Sequence, residues 1–240
     1  MKEKANKSEV KANNLDRLER VIAHRGLASR REAKDLISRG LVKVNGKVIR
    51  EPGFAISVEK DEIQIDNSKI AKKESFLVFK KRGVETSRTR PDARDLHSEF
   101  PELSHLNPIG RLDKESEGLI IMSNDGTLTK ALTKENSSIG KEYLVTVREE
   151  VKTASLERMK NGILLDGVVT KPAIVKEVSK NSFSIILFEG RKHQIRRMCD
   201  SCRLTIESLV RVKIGHLKMG NLKNVGKRKI DDKDADLLKR

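Results

Sequence analysis

The chain has 240 residues, enough for one large domain or for a small domain joined to a medium one. Its 51 Lys and Arg against 35 Asp and Glu leave a net charge of +16, which predicts a polyanionic partner, because each neutralised phosphate releases condensed counterions. Cys199 and Cys202 are too few for a disulfide framework, and their C-x-x-C spacing lacks the second pair or downstream histidines of a zinc site. No apolar run approaches the length of a membrane span, and Met1-Lys2-Glu3-Lys4 begins without an apolar leader, so a soluble, cytoplasmic protein without a membrane partner is expected.

Residues 1–14 are lysine-rich without apolar periodicity and read as a disordered basic arm. Leu15, Leu18 and Ile22 then recur at helical spacing, with Gly26 as a stop. Ser29-Arg30-Arg31-Glu32 has the form of a capping box, and Ala33, Leu36 and Ile37 give the following helix its apolar stripe up to Gly40. Val42-Lys43-Val44 and Lys47-Val48-Ile49 flank Asn45-Gly46, a strong hairpin signal. Ile56, Val58, Ile63 and Ile65 alternate and would complete a small sheet. The string R-L-x7-G-x-x-S-R-x-x-A-x-x-L-I-x-x-G-x-V-x-V-N-G, from Arg17 to Gly46, resembles the S4 RNA-binding domain. The resemblance implies that Arg30, Arg31 and Lys34 contact RNA phosphates, with Arg17, Ser29, Arg39 and Lys43 as further contact positions; such contacts position an RNA without reading its sequence.

Residues 67–74 are polar and read as a linker between an S4-like domain over 15–66 and a second domain over 75–240. Phe76-Leu77-Val78-Phe79 has the length of a buried strand, and Val84 to Arg94, with Arg88, Arg90 and Arg94, reads as an exposed basic loop. The stretch Gly110-Arg111-Leu112-Asp113-Lys114-Glu115-Ser116-Glu117-Gly118-Leu119-Ile120-Ile121-Met122-Ser123-Asn124-Asp125-Gly126 organises the rest. A glycine-led turn carrying one arginine and one carboxylate runs into four apolar residues bounded by turn formers. A charged loop held against a buried strand is how a fold fixes a reactive carboxylate.

Further on, Thr127 to Thr133 suits a short helix, and Lys141-Glu142-Tyr143-Leu144-Val145-Thr146-Val147 alternates like a strand and holds the single tyrosine. Val151 to Asn161 is a polar helix ended by Gly162, and Ala173 to Val178 and Phe183 to Phe188 are strands turning at Lys180-Asn181. Glu189 to Lys192 leads into a helix at His193-Gln194-Ile195-Arg196-Arg197-Met198, and Val210 to Gly215 is a further alternating strand. Strands dominate without regular βαβ alternation, which predicts an α+β fold with a mixed, largely antiparallel sheet. The basic stretch from Lys223 is expected to be part packed and part tail.

The central stretch closely resembles the signature G-R-L-D-x-x-[ST]-x-G-L-L-x-x-[ST]-N-D-G of the RsuA/RluB/RluE/RluF family of ribosomal RNA pseudouridine synthases. Gly190 to Met198 resembles that family's G-x-x-x-Q-I-R-R-M motif, and Lys80-Lys81-Arg82-Gly83 departs from its N-K-P-x-G by lacking the Asn and the Pro. The resemblance implies that Asp113 is catalytic, that Tyr143 stacks on the target base, that Arg196 lies against the buried Asp113 as its cation, and that Arg111 enters the gap left by the flipped nucleotide. It implies isomerisation of a uridine in ribosomal RNA, 23S ahead of 16S and the RluF branch ahead of the others, on free RNA or a large-subunit assembly intermediate, by a monomer with no cofactor and no metal. Asp113 could attack the sugar, attack the base, or deprotonate the sugar to a glycal. Two other classes stay open: a non-catalytic S4-type RNA-binding or ribosome-assembly factor, and a hydrolytic N-glycosidase, which would want a second positioned carboxylate.

Overall fold

The computed structural model describes residues 15–66, 72–134 and 138–239; the arm at 1–14 and most of the linker lie outside them. Two compact units result, Met1–Lys72 and Lys73–Arg240.

The first unit runs β1 (Leu15–Arg17), α1 (Leu18–His24), α2 (Arg30–Ser38), β2 (Val42–Val44), β3 (Lys47–Ile49), β4 (Ala55–Ser57) and β5 (Ile63–Ile65). The first helix starts at Leu18, three residues later than its apolar spacing implies. Leu15 pairs with Ser57 across β1 and β4, and Leu18 N–H donates to Phe54 O at 2.8 Å, so the strand captures the backbone before the helix begins. At α2 the Ser29 hydroxyl accepts from the Glu32 amide and the Glu32 carboxylate accepts from the Ser29 amide, both at 3.2 Å, which satisfies two otherwise orphaned donors. Asn45 and Gly46 take φ of 49° and 78°, the doubly positive pair that a tight β2–β3 turn needs. β4 joins β1 while β5 joins β2, so the expected single small sheet is two. Leu18, Val21, Ile22, Leu36, Ile37 and Ile56 are the centre of this unit's core.

The second unit comprises β6 (Ser75–Lys80), α3 (Leu96–Glu99), β7 (Asn107–Ile109), β8 (Glu117–Ser123), α4 (Gly126–Thr133), β9 (Lys141–Val147), α5 (Thr153–Asn161), β10 (Leu164–Leu165), β11 (Val168–Val169), β12 (Ile174–Ser179), β13 (Ser182–Leu187), α6 (Gln194–Ser201), β14 (Ile206–Ile214), β15 (Leu217–Lys218), α7 (Leu222–Val225), β16 (Lys227–Lys229) and α8 (Asp232–Lys239). Its sheet has the order β12-β13-β9-β14-β8-β6-β16, with β7 on β8 and β15 on β14. The β8–β14 contact is parallel and the others are antiparallel, so the fold is α+β on a mixed, largely antiparallel sheet. Leu119 and Ile121 enter one apolar cluster and Ile120 and Met122 another, which is why β8 is a continuous apolar run. No helix among the described residues is long and apolar enough to cross a membrane.

Two segments differ from their sequence expectation. The Val84–Arg94 loop is half interior: Val84 and Thr86 are buried, Arg88 pairs with Asp95 at 3.5 Å, and Arg94 pairs with Glu99. The chain after Lys223 packs down to Leu238, with β16 covering the open edge of β6 and Leu222 and Leu238 buried. An edge strand needs such cover, and a three-residue basic strand supplies it.

One row of residues crosses the middle of the sheet: Lys80 of β6 is in register with Gly118 of β8, Gly118 with Arg211 of β14, and Arg211 with Tyr143 of β9. Gly118 has φ of 113°, and a Cβ there would stand 2.4 Å from the Arg211 carbonyl oxygen. Lys80 is 0% exposed; its ammonium donates to Val84 O at 2.6 Å, Lys81 O at 3.1 Å and Lys114 O at 3.4 Å. Burial pushes this lysine down to about 8, against the opposing pull of Asp113, Glu115 and Glu117 and with a further push from Arg211.

Gly118→Ala is expected to destabilise the protein by about 3 kcal/mol or more, combining backbone strain with overpacking, as read from urea unfolding; a loss within experimental error would show that β8 and β14 can part at this point. For Lys80, the folded state holds its proton less tightly than the unfolded chain, from about 8 against 10.5. Unfolding free energy should therefore rise as pH climbs through that window, by about 3 kcal/mol in all. The stability–pH curve of Lys80→Met should lack this rise, and parallel curves for the two proteins would assign it to other groups.

Candidate active site

The reactive loop leaves β7 at Gly110, whose φ is 73°, and returns to β8 at Glu117. Its local structure is one turn, with Ser116 N–H donating to Asp113 O at 3.0 Å. The rest of its backbone is held from outside. Leu112 donates to the Thr86 hydroxyl at 3.0 Å and accepts from it at 2.7 Å, both buried. Lys114 O accepts from Lys80 and from the Gly83 amide at 2.8 Å. Arg211 Nε donates to Leu119 O at 2.7 Å and its Nη1 to Arg111 O at 3.5 Å. Arg196 donates to Glu115 O at 2.8 Å and to the Ser116 hydroxyl at 3.2 Å.

This corrects the expected role of Arg196. It does not pair with Asp113 among the described residues; the neighbouring carbonyl and hydroxyl of the loop, turned toward α6, take its guanidinium instead. Asp113 is not buried either: its side chain is 38% exposed, and the group beside it is the His193 imidazole, whose Nε2 stands 3.5 Å from Oδ1 and pairs with it as an ion only when protonated. His193 precedes α6 with φ 52° and ψ 31°, a left-handed conformation that non-glycine residues rarely take. Gln194, the buried first residue of α6, shapes that turn by accepting from the Arg191 amide at 3.1 Å and donating to Glu189 at 2.7 Å. Arg191 donates in turn to Val168 O and Val169 O at 3.0 and 2.8 Å, tying the turn to β11.

Asp113, Arg111, Tyr143 and Arg196 all line one cleft of about 970 Å³, together with His193 and Arg211. That volume lies at the upper end of the ~300–1,000 Å³ usual for ligand sites. Tyr143 is half-buried, packed against the cluster around Val145, Phe183 and Leu209. Arg211 is 2% exposed, and its Nη2 has no hydrogen-bond partner among the described residues. Sequence reasoning passed over Lys80, Thr86, His193 and Arg211. The available signal was a lysine continuing the apolar run of β6 and an arginine between Val210 and Val212, charges where a buried strand would not place them unpaired. Glu115 is held below its ordinary value by its hydrogen bond from Arg82 at 2.9 Å. Cys199 is buried and its thiol pushed up to about 12 by that burial, so it is unreactive. No cluster of His, Cys, Asp and Glu among the described residues is placed to hold a metal.

In the N-terminal unit, Arg17, Arg20, Arg30, Arg31 and Lys34 line a shallow hollow with Glu19, whose carboxylate accepts from the Gly53 amide at 2.9 Å. Of the other predicted RNA contacts, Ser29 is committed to its cap, Arg39 pairs with Asp35 at 3.2 Å, and Lys43 is exposed on β2 outside the hollow.

The model of the RNA pseudouridylate synthase family matches residues 70–201, and that of the S4 domain residues 16–63. The ribosomal large subunit pseudouridine synthase B of Bacillus subtilis (strain 168) is 35% identical over 220 residues, covering 87% of this chain and 89% of that protein. The dual-specificity RNA pseudouridine synthase RluF of Escherichia coli (strain K12) is 33% identical over 230 residues, covering 93% and 78%. A crystal structure of a pseudouridylate synthase superposes with a TM-score of 0.69 at 27% identity, covering 92% of this chain and 99% of that one. The carboxylate loop on β8, the tyrosine on β9 and the Q-I-R-R-M helix thus sit in a fold shared with known synthases, and the chain belongs to the RNA pseudouridine synthase family, with an S4 domain ahead of the catalytic unit.

Proposed function

We propose that this protein converts a uridine of ribosomal RNA to pseudouridine, with large-subunit RNA the favoured substrate and Asp113 the reacting carboxylate. The observation that carries this reading is the convergence of Arg111 and Asp113 from the β7–β8 loop, Tyr143 from β9 and Arg196 from α6 on the walls of one cleft. The names of the relatives support the choice of RNA: one is a large-subunit synthase, the other a dual-specificity RNA enzyme.

The reaction breaks the N1–C1′ bond of a uridine, turns the base, and rejoins it through C5. No net electrons move and no water enters. The site must therefore supply one ionised carboxylate and keep water from the intermediate. Asp113 serves as that carboxylate at the sugar, whether by attack on C1′ or by taking the C2′ proton. Extracting the base from its stack costs a few kcal/mol, and two groups offset it: the Tyr143 ring, which offers a stacking face, and Arg111, exposed at the loop's start, which refills the gap. Arg196 acts on the loop backbone and so holds Asp113 in place without touching its carboxylate. The basic hollow of the S4 unit takes up phosphates.

Asp113→Asn should abolish pseudouridine formation and leave RNA affinity unchanged or tighter, because the carboxylate repels phosphate. A pseudouridine map of rRNA from cells with and without the protein locates the target; residual turnover of the variant within tenfold of wild type would remove Asp113 from its role. Replacing Arg30, Arg31 and Lys34 together by Ala should weaken RNA binding and flatten its salt dependence by about 0.7–0.9 log units per lost phosphate contact. Turnover on saturating RNA should stay near wild type, the mark of lost positioning without lost chemistry. An unchanged salt slope would mean that the hollow does not meet RNA.

A further inference from the structure

The isomerisation contains a proton transfer that Asp113 does not perform if it serves the sugar, the reading given above. When N1–C1′ breaks, the bond pair stays on the base. C5 then uses the C5=C6 pair to bond to C1′, so C5 holds both its hydrogen and the sugar. That hydrogen must leave as a proton, its bond pair restoring C5=C6, while N1 takes a proton up. One proton is lost and one gained, and no co-reactant is required, but a base must reach C5 while C5 stands over the sugar carbon that Asp113 serves.

Most groups lining the cleft cannot be that base. Glu189 already accepts from Gln194 at 2.7 Å, from the Lys171 amide at 3.0 Å and from Arg191 at 3.3 Å. The cleft's arginines carry permanent charge, and a phenol such as that of Tyr143 is a weak base. His193 is the one imidazole among the described lining residues. Its ring is 49% exposed, open to a ligand, and its Nε2 lies 3.5 Å from Asp113 Oδ1. Because C5 must come within bonding distance of the carbon at Asp113, a neighbour of Asp113 is a neighbour of the C5 hydrogen. The left-handed backbone at His193 is a cost that the turn sustains through Gln194, Glu189 and Arg191, and strain of this kind gathers where a side chain has to be aimed.

We propose that His193 is the catalytic base that removes the C5 proton of the rearranged base. The imidazolium so formed gives up its proton once the product RNA leaves and solvent re-enters the cleft, and N1 takes one up from solvent at the same stage. An imidazole is suited to both halves of that exchange near neutral pH.

The test uses the full-length protein and transcribed RNA carrying the mapped target as uridine or as 5-deuterouridine. His193→Asn keeps a residue that tolerates left-handed backbone and removes the imidazole. It should lose turnover about 100-fold or more at unchanged RNA affinity. It should also show an isotope effect from 5-deuteration larger than that of wild type, with a C-glycoside that still holds its C5 hydrogen building up. His193→Gly, which suits the same backbone should the Asn variant fail to fold, should regain turnover on adding imidazole. Loss of rate with no added isotope effect and no rescue, or a rate equal to wild type, overturns the proposal. Wild-type protein that leaves uridine unchanged would instead sink the underlying reading of the activity, so the two failures are distinguishable.

Discussion

The site depends on side chains that hydrogen-bond to the backbone of the loop between β7 and β8. That loop has one internal turn, and its carbonyls at Arg111, Leu112, Lys114 and Glu115, with that of Leu119 in β8, are met by Arg211, Thr86, Lys80 and Arg196. Three of these four donors are cationic, and hydrogen bonds from charged groups are worth about 1.5–3 kcal/mol each against ~1 for neutral ones. A loop fixed in this way presents Asp113 in one place without committing its carboxylate to a structural bond. Among the described residues no lysine or arginine pairs with the carboxylate, because the cations that hold the loop are spent on carbonyls.

The same arrangement sets the electrostatics. Lys80 and Arg211 flank Gly118 on adjacent strands; burial depresses the lysine, and Arg211 adds a smaller push in the same direction. Such a pair is costly in an apolar sheet unless acceptors and negative charge face it. The loop provides both, through its carbonyls and through Asp113, Glu115 and Glu117. Gly118 is the condition for the pair: its positive φ and missing Cβ let the β14 backbone approach β8. Even so, Arg211 Nη2 has no hydrogen-bond partner among the described residues, at the wall of the cleft.

What could be read from the sequence was local. The Ser29 box, the Asn45-Gly46 turn, the buried run Leu119–Met122 and the strand holding Tyr143 all have short-range patterns, and all form. The Asp166-Gly167 turn between β10 and β11 had the same kind of signal and was passed over. What the pattern could not supply were the partners of the reactive loop, which come from 26 residues away for Thr86, 81 for Arg196 and 92 for Arg211 at Leu119. Leu15 marks the converse failure: its helical spacing was fortuitous, because pairing with Ser57 decides the backbone there. The expected Asp113–Arg196 pair came from family resemblance alone. The structure puts His193 at the carboxylate because α6 begins one residue after a left-handed turn that swings the imidazole, not the next helical turn, toward Asp113.

The exposure of this pair bears on how the chemistry can proceed. An intermediate in which base and sugar are separated is lost if water reaches C1′, yet the Asp113 and His193 side chains are 38% and 49% exposed. The cleft of about 970 Å³ is only partly enclosed. Water exclusion therefore has to come with the substrate: a flipped uridine over Tyr143, its flanking nucleotides along the arginine- and lysine-lined walls, and Arg111 in the vacated stack would together close the opening. For the proposed reaction a free nucleoside would leave the site wet and be a poor substrate, and the positive surplus of the chain would serve the chemistry as well as the encounter, by drawing in phosphates whose nucleotides bring the walls that the cleft lacks.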